Sequence, residues 1–171
     1  DLGMYGSAPG VCVECDAGTY QDGRGEVQCK KCPKDTFSSV IGATSNAECQ
    51  ACSEDRTTGE SIGAKSNNSC LCKRGFYEEQ GCIPCPEGAE CVTVGANLRS
   101  IYASPGYWRT SDSFLSCKMA YTGVSDEDAT RIAQERCCPA TNGTICANAT
   151  NQCVPGYRGP LCAGCAEDHV R

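Results

Sequence analysis

The chain has 171 residues, 18 of them cysteine, and a formal net charge of −6. That cysteine density exceeds the roughly 8–10% that marks a disulfide scaffold, and the acidic balance excludes a nucleic-acid face and electrostatic docking on anionic lipid. No run approaches the roughly 18 apolar residues needed to span a membrane. Glycine (19) and proline (8) favour turns over long helices. Large apolar side chains are few, so several small modules in a row are expected, each stapled because it buries too little surface alone. The acidic residues are scattered and read as solubility. The opening DLGMYGSAPG has neither a charged n-region nor an apolar h-region and lacks an initiator methionine. The chain is therefore expected to be a piece of a larger mature protein.

From Cys12 to Cys72 the chain is periodic. C-x-x-C recurs at Cys12/Cys15, Cys29/Cys32 and Cys49/Cys52, and C-x-C follows at Cys70/Cys72. DAGTY after Cys15 aligns with PKDTF after Cys32, and GATSN before Cys49 with GAKSN before Cys70. Internal repeats of about 20 residues mean a linear array. Each unit reads as a short strand at the Thr-aromatic pair, a turn at the Gly, and a return to the next cysteine pair. Residues 73–91 form a short cysteine-knotted stretch, in which Gly75 before Phe76-Tyr77 suggests a tight hairpin entry.

Residues 92–137 make a cysteine-poor insert with the single tryptophan, in SPGYWRTSDSFLSC. It ends in SDEDATRIAQERCC, the one helix candidate, at about 126–137. Ser125 is placed to cap it, Asp128 to complete a capping box, and Ala129, Ile132, Ala133 and Arg136 to share a face. Residues 138–171 return to staples in CVPGYRGPLCAGC and run towards a further module.

Paired cysteines have three readings. A zinc site needs four ligands, and C-x2-C-x13-C-x2-C approaches such a pattern. However, the pairs run in series among odd cysteines, and the single histidine, His169, has no partner ligands nearby and reads as surface. A redox C-x-x-C needs a βαβ context that turn-rich loops do not offer. Three N-x-[ST] sequons, at Asn67, Asn142 and Asn148, fit a secretory route instead. Staples are therefore expected, with N-linked glycans and no other cofactor. Sequence does not settle connectivity. A ladder joins the second cysteine of each pair to the first of the next. It gives Cys15–Cys29, Cys32–Cys49, Cys52–Cys70, Cys72–Cys82, Cys85–Cys91, Cys117–Cys137, Cys138–Cys146 and Cys153–Cys162, and leaves Cys12 and Cys165 at the ends. The rival scheme crosses first with third and second with fourth. We expect the ladder, and separate partners for Cys137 and Cys138 rather than a vicinal bond.

Tyr107, Trp108 and Arg109 are candidate contact residues, because aromatics and arginine dominate binding hot spots. The alternative is that Trp108 covers a disulfide as a local core. Asp126, Glu127 and Asp128 are contiguous, which suits a helix N-terminus better than a calcium loop. No Ser/His/Asp or Cys/His arrangement can be assembled, so no catalytic or metal site is expected, and no enzyme.

The stretch CKKCPKDTFSSVIGATSNAECQACSEDRTTGESIGAKSNNSCLCKRGFY resembles the cysteine-rich region of ephrin-type receptor tyrosine kinases. The resemblance rests on Cys32-Pro33, Thr36-Phe37, Arg56-Thr57-Thr58, Cys70-Leu71-Cys72 and Gly75-Phe76-Tyr77 in order. Asp35 stands where that family has glycine. The resemblance implies a small β-rich extracellular module and no kinase. Gly-Tyr-x-Gly within C-x8-C resembles the last loop of an EGF module. PGYWR and GYRGPLCAGC resemble segments that follow ephrin-receptor-like repeats in large cysteine-rich surface proteins of protists and algae. The expected fold is thus small, disulfide-rich and mostly β or irregular, an elongated tandem array of EGF- or TNF-receptor-like modules. The boundaries expected are 1–72 for ephrin-receptor-like repeats, 73–91 for an EGF-like segment, 92–137 for the insert and 138–171 for an EGF-like end. The function implied is a structural or adhesive segment of a secreted or cell-surface glycoprotein, as in a filament or coat such as flagellar hairs. The alternative is the ectodomain of a membrane receptor or channel. Expected partners are other extracellular proteins, copies of the chain itself, or further modules of the same chain.

Overall fold

A computed structural model of the chain describes residues 1–138 and 152–165. Among these, the secondary structure is a series of antiparallel strand pairs, each forming its own two-stranded sheet. The order is β1 (Met4–Ala8) with β2 (Val11–Glu14), β3 (Thr19–Tyr20) with β4 (Lys30–Lys31), and β5 (Thr36–Phe37) with β6 (Gln50–Ala51). Then come β7 (Arg56–Thr57) with β8 (Leu71–Cys72), β9 (Phe76–Glu78) with β10 (Cys82–Pro84), and β11 (Ala89–Glu90) with β12 (Tyr102–Ala103). β13 (Tyr107–Arg109) pairs with β14 (Phe114–Ser116), helix α1 (Asp126–Arg136) follows, and β15 (Tyr157–Arg158) pairs with β16 (Gly164–Cys165). The fold is a small, disulfide-rich, mostly β chain with one short helix among the described residues.

Two-residue strands are not stable alone. Local devices hold them, and they recur. The residue after each returning strand donates its N–H to the carbonyl of the residue before the outgoing strand. The bonds are Cys15 to Gly3 (2.9 Å), Cys32 to Gly18 (2.9 Å), Cys52 to Asp35 (2.9 Å) and Lys73 to Asp55 (2.9 Å) in the first half. The same bond links Cys85 to Gly75 (2.8 Å), Ser104 to Gly88 (2.8 Å) and Cys117 to Gly106 (2.9 Å). The register thus runs through 92–117, where Ser104 stands in place of the cysteine and Gly106 follows two residues later instead of three.

The chain divides into two compact units. One is Asp1–Arg74 with Thr93–Gly95, the other Gly75–Val92 with Ala96–Arg171. In the first unit the Gly-Ala dipeptide of each long loop docks on an earlier hairpin. Gly42 donates to the Cys15 carbonyl (2.7 Å) and Gln21 to the Ala43 carbonyl (2.9 Å). Gly63 donates to Cys32 (2.8 Å) and Ser38 to Ala64 (3.0 Å) in the same way. Tyr20 and Ala43, and Phe37 and Ala64, thereby form parallel bridges, and both alanines are buried. This contact explains why GATSN and GAKSN repeat. It also demands glycine at Gly18, which has a φ of +82° and whose added Cβ would lie 2.3 Å from the Gly63 carbonyl oxygen.

Asp35 occupies the corresponding place with φ +63°. A non-glycine residue there is strained, and local bonds compensate. Thr57 Oγ1 (2.5 Å) and the Thr58 N–H (3.1 Å) donate to its carboxylate, and its own N–H donates to Thr58 Oγ1 (2.9 Å). The Thr57 hydroxyl, foremost, holds the Asp35 carboxyl below its ordinary pKa.

The second unit has cores of its own. Tyr77, Cys91, Ala96 and Ile101 form one cluster, with Ile101 fully buried and Ile83, Leu98 and Phe114 packed against it. Ala96 contributes here: the Glu78 N–H donates to its carbonyl (2.7 Å), as that of Gln21 does to Ala43. Helix α1 begins at Ser125, whose hydroxyl accepts from the Asp128 N–H (3.1 Å) and donates to the Asp128 carboxylate (2.8 Å). Its Ala129 and Ala133 face inward, while Ile132 and Arg136 are half-buried. Cys137 is its C-cap rather than its last residue.

Candidate functional site

The chemistry of this chain lies in its cystines. The structure joins Cys15 to Cys29, Cys32 to Cys49, Cys52 to Cys70, Cys85 to Cys91, Cys117 to Cys137 and Cys153 to Cys162. Each bond closes a local loop, with sequence separations from 6 to 20, and none of these loops crosses another. Cys72, Cys82 and Cys138 are also disulfide-bonded. Cys137 and Cys138 are not joined to each other, since Cys137 pairs with Cys117. Cys146 lies outside the described residues. Cys12, on the exposed strand β2, is the unpaired thiol among the described cysteines.

The three cystines of the first unit recur at one structural position. Each links the residue that follows a returning strand to the residue just before the next returning strand. Cα–Cα distances of 5.8, 5.6 and 5.7 Å show that the repeat places each pair alike. A run of oxidised cysteines of this kind is maintained in an oxidising, extracellular setting.

Tyr107, Trp108 and Arg109 all lie on β13, and the fold of the second unit uses all three. The Tyr107 ring lies over Gly88, where an added Cβ would come within 2.1 Å of it, and its hydroxyl donates to Glu87 (3.2 Å). Burial, then the Glu87 contact, pushes the Tyr107 phenol up in pKa. Trp108 packs with Tyr121, Tyr157 and Leu161 against Cys117, Ala133, Cys137 and Cys162. The cluster it joins contains the Cys117–Cys137 and Cys153–Cys162 cystines. The Arg109 guanidinium donates to the carbonyls of Ile101 (2.5 Å) and Leu98 (2.6 Å). The Arg109 backbone and the buried Gln152 side chain exchange a pair of hydrogen bonds at 2.5 and 2.9 Å. Arg136 lies 4.4 Å from the Tyr157 ring centroid and 5.3 Å from that of Tyr121. Sequence reading placed Arg136 on the helix face with Ala129 and Ala133 but gave it no ring partners, and it did not single out Gln152, which nothing local in the sequence marks.

The acidic start of α1 is occupied from within the chain. Asp126 pairs with Lys118, and Asp128 bonds Ser125 and Arg131, which depress its pKa in that order. Asn67 is exposed in a 3-10 turn, Asn67–Ser69. Asn142, Asn148 and His169 lie outside the described residues. No described helix is long and apolar enough to cross a membrane.

Comparison with known proteins places these repeats. Residues 3–49 match the family described as tyrosine-protein kinase ephrin type A/B receptor-like. Residues 3–49 are thus similar to ephrin-receptor-like cysteine-rich repeats, and the match begins upstream of the stretch from Cys29 that suggests them by motif. The chain is 33% identical over 96 residues to the rat Sushi, von Willebrand factor type A, EGF and pentraxin domain-containing protein 1, covering 54% of this chain and 3% of that protein. It is 38% identical over 113 residues to cysteine repeat modular protein A of Toxoplasma gondii, covering 63% and 3%. It is 36% identical over 127 residues to the human signal peptide, CUB and EGF-like domain-containing protein 2, covering 66% and 12%. The chain spans only a small part of each relative. It is an extracellular, disulfide-rich module array of the kind found in such multidomain proteins.

Proposed function

We propose that the chain is a non-enzymatic structural or adhesive segment of a larger secreted or cell-surface glycoprotein, a component of an extracellular filament or coat. The observation that carries this reading is the series of locally closed cystine loops in the first unit, Cys15–Cys29, Cys32–Cys49 and Cys52–Cys70. A loop closed near its own ends limits how far the chain extends under load and keeps its backbone from protease clefts. Repeats stacked through Gly-Ala contacts pass that constraint from neighbour to neighbour. The matched relatives support the reading, because their names describe many-domain proteins and the matched segment is a small part of each. Partners would be other extracellular proteins, further modules, or copies of the same chain.

Fractionation of the source cells with an antibody to this chain tests the proposal. The expected result is surface labelling of unpermeabilised cells, with the antigen in a detergent-insoluble extracellular fraction. Recovery with detergent-soluble integral membrane proteins would favour a receptor or channel ectodomain and overturn the coat reading. Labelling only after permeabilisation would overturn both.

A further inference from the structure

Two long loops of the first unit end in the same turn with different chemistry. Asn46–Glu48 and Asn67–Ser69 each form a 3-10 turn just before a bridged cysteine. Their entry residues have φ/ψ of −154°/160° and −157°/164°, and their exit cysteines −82°/98° and −86°/96°. In the first copy the Glu48 carboxylate accepts from the Thr44 N–H (2.7 Å) and hydroxyl (3.1 Å), and these bonds tie the loop down and lower the Glu48 pKa. In the second copy Lys65 replaces Thr44 and Ser69 replaces Glu48. Neither makes a side-chain hydrogen bond among the described residues. The change that removes the tie also creates Asn67-Asn68-Ser69, a glycan acceptor sequence.

An open hollow of about 520 Å³ adjoins this turn, lined by Ile62, Ala64, Lys65, Asn68, Ser69 and Leu71 among others. Ile62 is 56% exposed and Leu71 45%. Asn68 and Ser69 of the sequon therefore stand in the wall of this open hollow, next in sequence to the exposed Asn67, and Ile62, Ala64 and Leu71 are its apolar members.

We propose that Asn67 is an N-glycosylation site and that its first sugars lie over Ile62 and Leu71, covering this hollow. In the transfer, Asn67 Nδ2 displaces the pyrophosphate from C1 of a polyprenyl-pyrophosphate-linked oligosaccharide. A C–N bond forms, the C–O bond breaks, and the polyprenyl pyrophosphate leaves as the amide gives up one proton. Exposed aliphatic side chains suit this cover, because a sugar ring presents C–H faces to them while its hydroxyls stay in water. The inference is independent of the coat reading, since it concerns one surface of one repeat.

The test combines glycopeptide mass spectrometry with hydroxyl-radical footprinting on the full chain from a eukaryotic secretory host. Asn67→Gln and Ser69→Ala each remove the sequon by a different residue, so either serves if the other fails to close Cys52–Cys70. The expected result is sugar on Asn67 and a several-fold rise in oxidation of Ile62 and Leu71 in both variants. Ile41, 64% exposed in the sibling loop that lacks a sequon, is the internal control and stays unchanged. A bare Asn67 in wild-type protein with Cys52–Cys70 formed overturns the proposal. So does an occupied Asn67 whose loss leaves Ile62 and Leu71 oxidation unaltered.

Discussion

The two units solve one problem with different materials. In the first, the buried side chains are cysteine, alanine, glutamine, serine and threonine: Cys15, Cys32, Ala43, Ala64, Gln21, Ser38 and Thr57 among them. Gln21 is 1% exposed, with its amide bonded to the Gln28 carbonyl (2.6 Å) and the Gly23 N–H (2.9 Å). Nothing there resembles an oil-like core. The second unit keeps the hairpins but adds Ile101, Tyr77 and Trp108 as cluster members, and a helix whose Ala133 joins the cluster of Trp108. Where cystines are dense, backbone bonds and cross-links suffice. Where the chain runs from Val92 to Ser116 without cysteine, apolar burial and the Arg109 bonds hold the same register.

The largest expected difference follows reduction. A closed loop of about 15 residues contributes roughly 3 kcal/mol in the chain-entropy model, against a net stability of about 5–15 kcal/mol for a whole domain. Titration with reductant is therefore expected to remove amide-exchange protection at Gly42 and Gly63 first. The near-UV dichroism of Trp108, which reports the second unit, should persist longer. Simultaneous loss of both signals would show that the cores of the second unit add nothing of their own.

Truncation of the fully buried Ile101 to alanine should cost about 2–5 kcal/mol by transfer and cavity terms. Denaturant unfolding followed by Trp108 fluorescence measures it. Exchange protection at Gly42 and Gly63 should stay unchanged, because no side chain of the first unit plays this role.

Gly18→Ala is the corresponding lesion in the first unit. The positive φ alone costs about 1–3 kcal/mol, and the clash with the Gly63 carbonyl adds to it. Gly25→Ala, with φ +77° but nothing within 4 Å of the added Cβ, should cost less. Equal thermal shifts for the two would mean that the Gly-Ala docking contact is absent in solution.

A smaller effect is expected at Asp35. Its pKa is depressed in the folded chain, chiefly by the Thr57 hydroxyl. Its contribution to stability is thus complete above the ordinary carboxylate range and disappears as pH falls through the depressed value. Asp35→Asn keeps the acceptor oxygen and should flatten that acid limb of the stability curve. An unchanged limb would assign it to other carboxylates. Smallest of all, removal of the exposed Lys34–Glu60 pair (2.8 Å) by Lys34→Ala should leave the unfolding midpoint unmoved.

What the sequence made legible was local and repeated. The Thr-aromatic pairs are strands β3 and β5, and the GATSN and GAKSN loops are the docking segments, because both depend on residues a few positions apart. The helix was readable from Ser125 and the Ala129/Ala133 spacing for the same reason. Less legible was the continuation of the hairpin register past Cys91. There Ser104 takes the place of a cysteine, and Gly95-Ala96 repeats a dipeptide too short to stand out. The Arg109–Gln152 bonds span 43 residues, and the rings that Arg136 meets lie outside its helix, so sequence spacing shows neither contact. Tyr107-Trp108-Arg109 is open in the sequence to a contact surface as well as to the commoner local core, and packing shows where these side chains go.

The central claim is that the repeats are serially closed by their own cystines. Non-reducing peptide mapping of the native secreted protein tests it most directly. The expected result is Cys15–Cys29, Cys32–Cys49 and Cys52–Cys70 as separate linked peptides, with none of these cysteines recovered as free thiol. Crossed pairs such as Cys12–Cys29 with Cys15–Cys32, or free metal-retaining thiols at these positions, would contradict it.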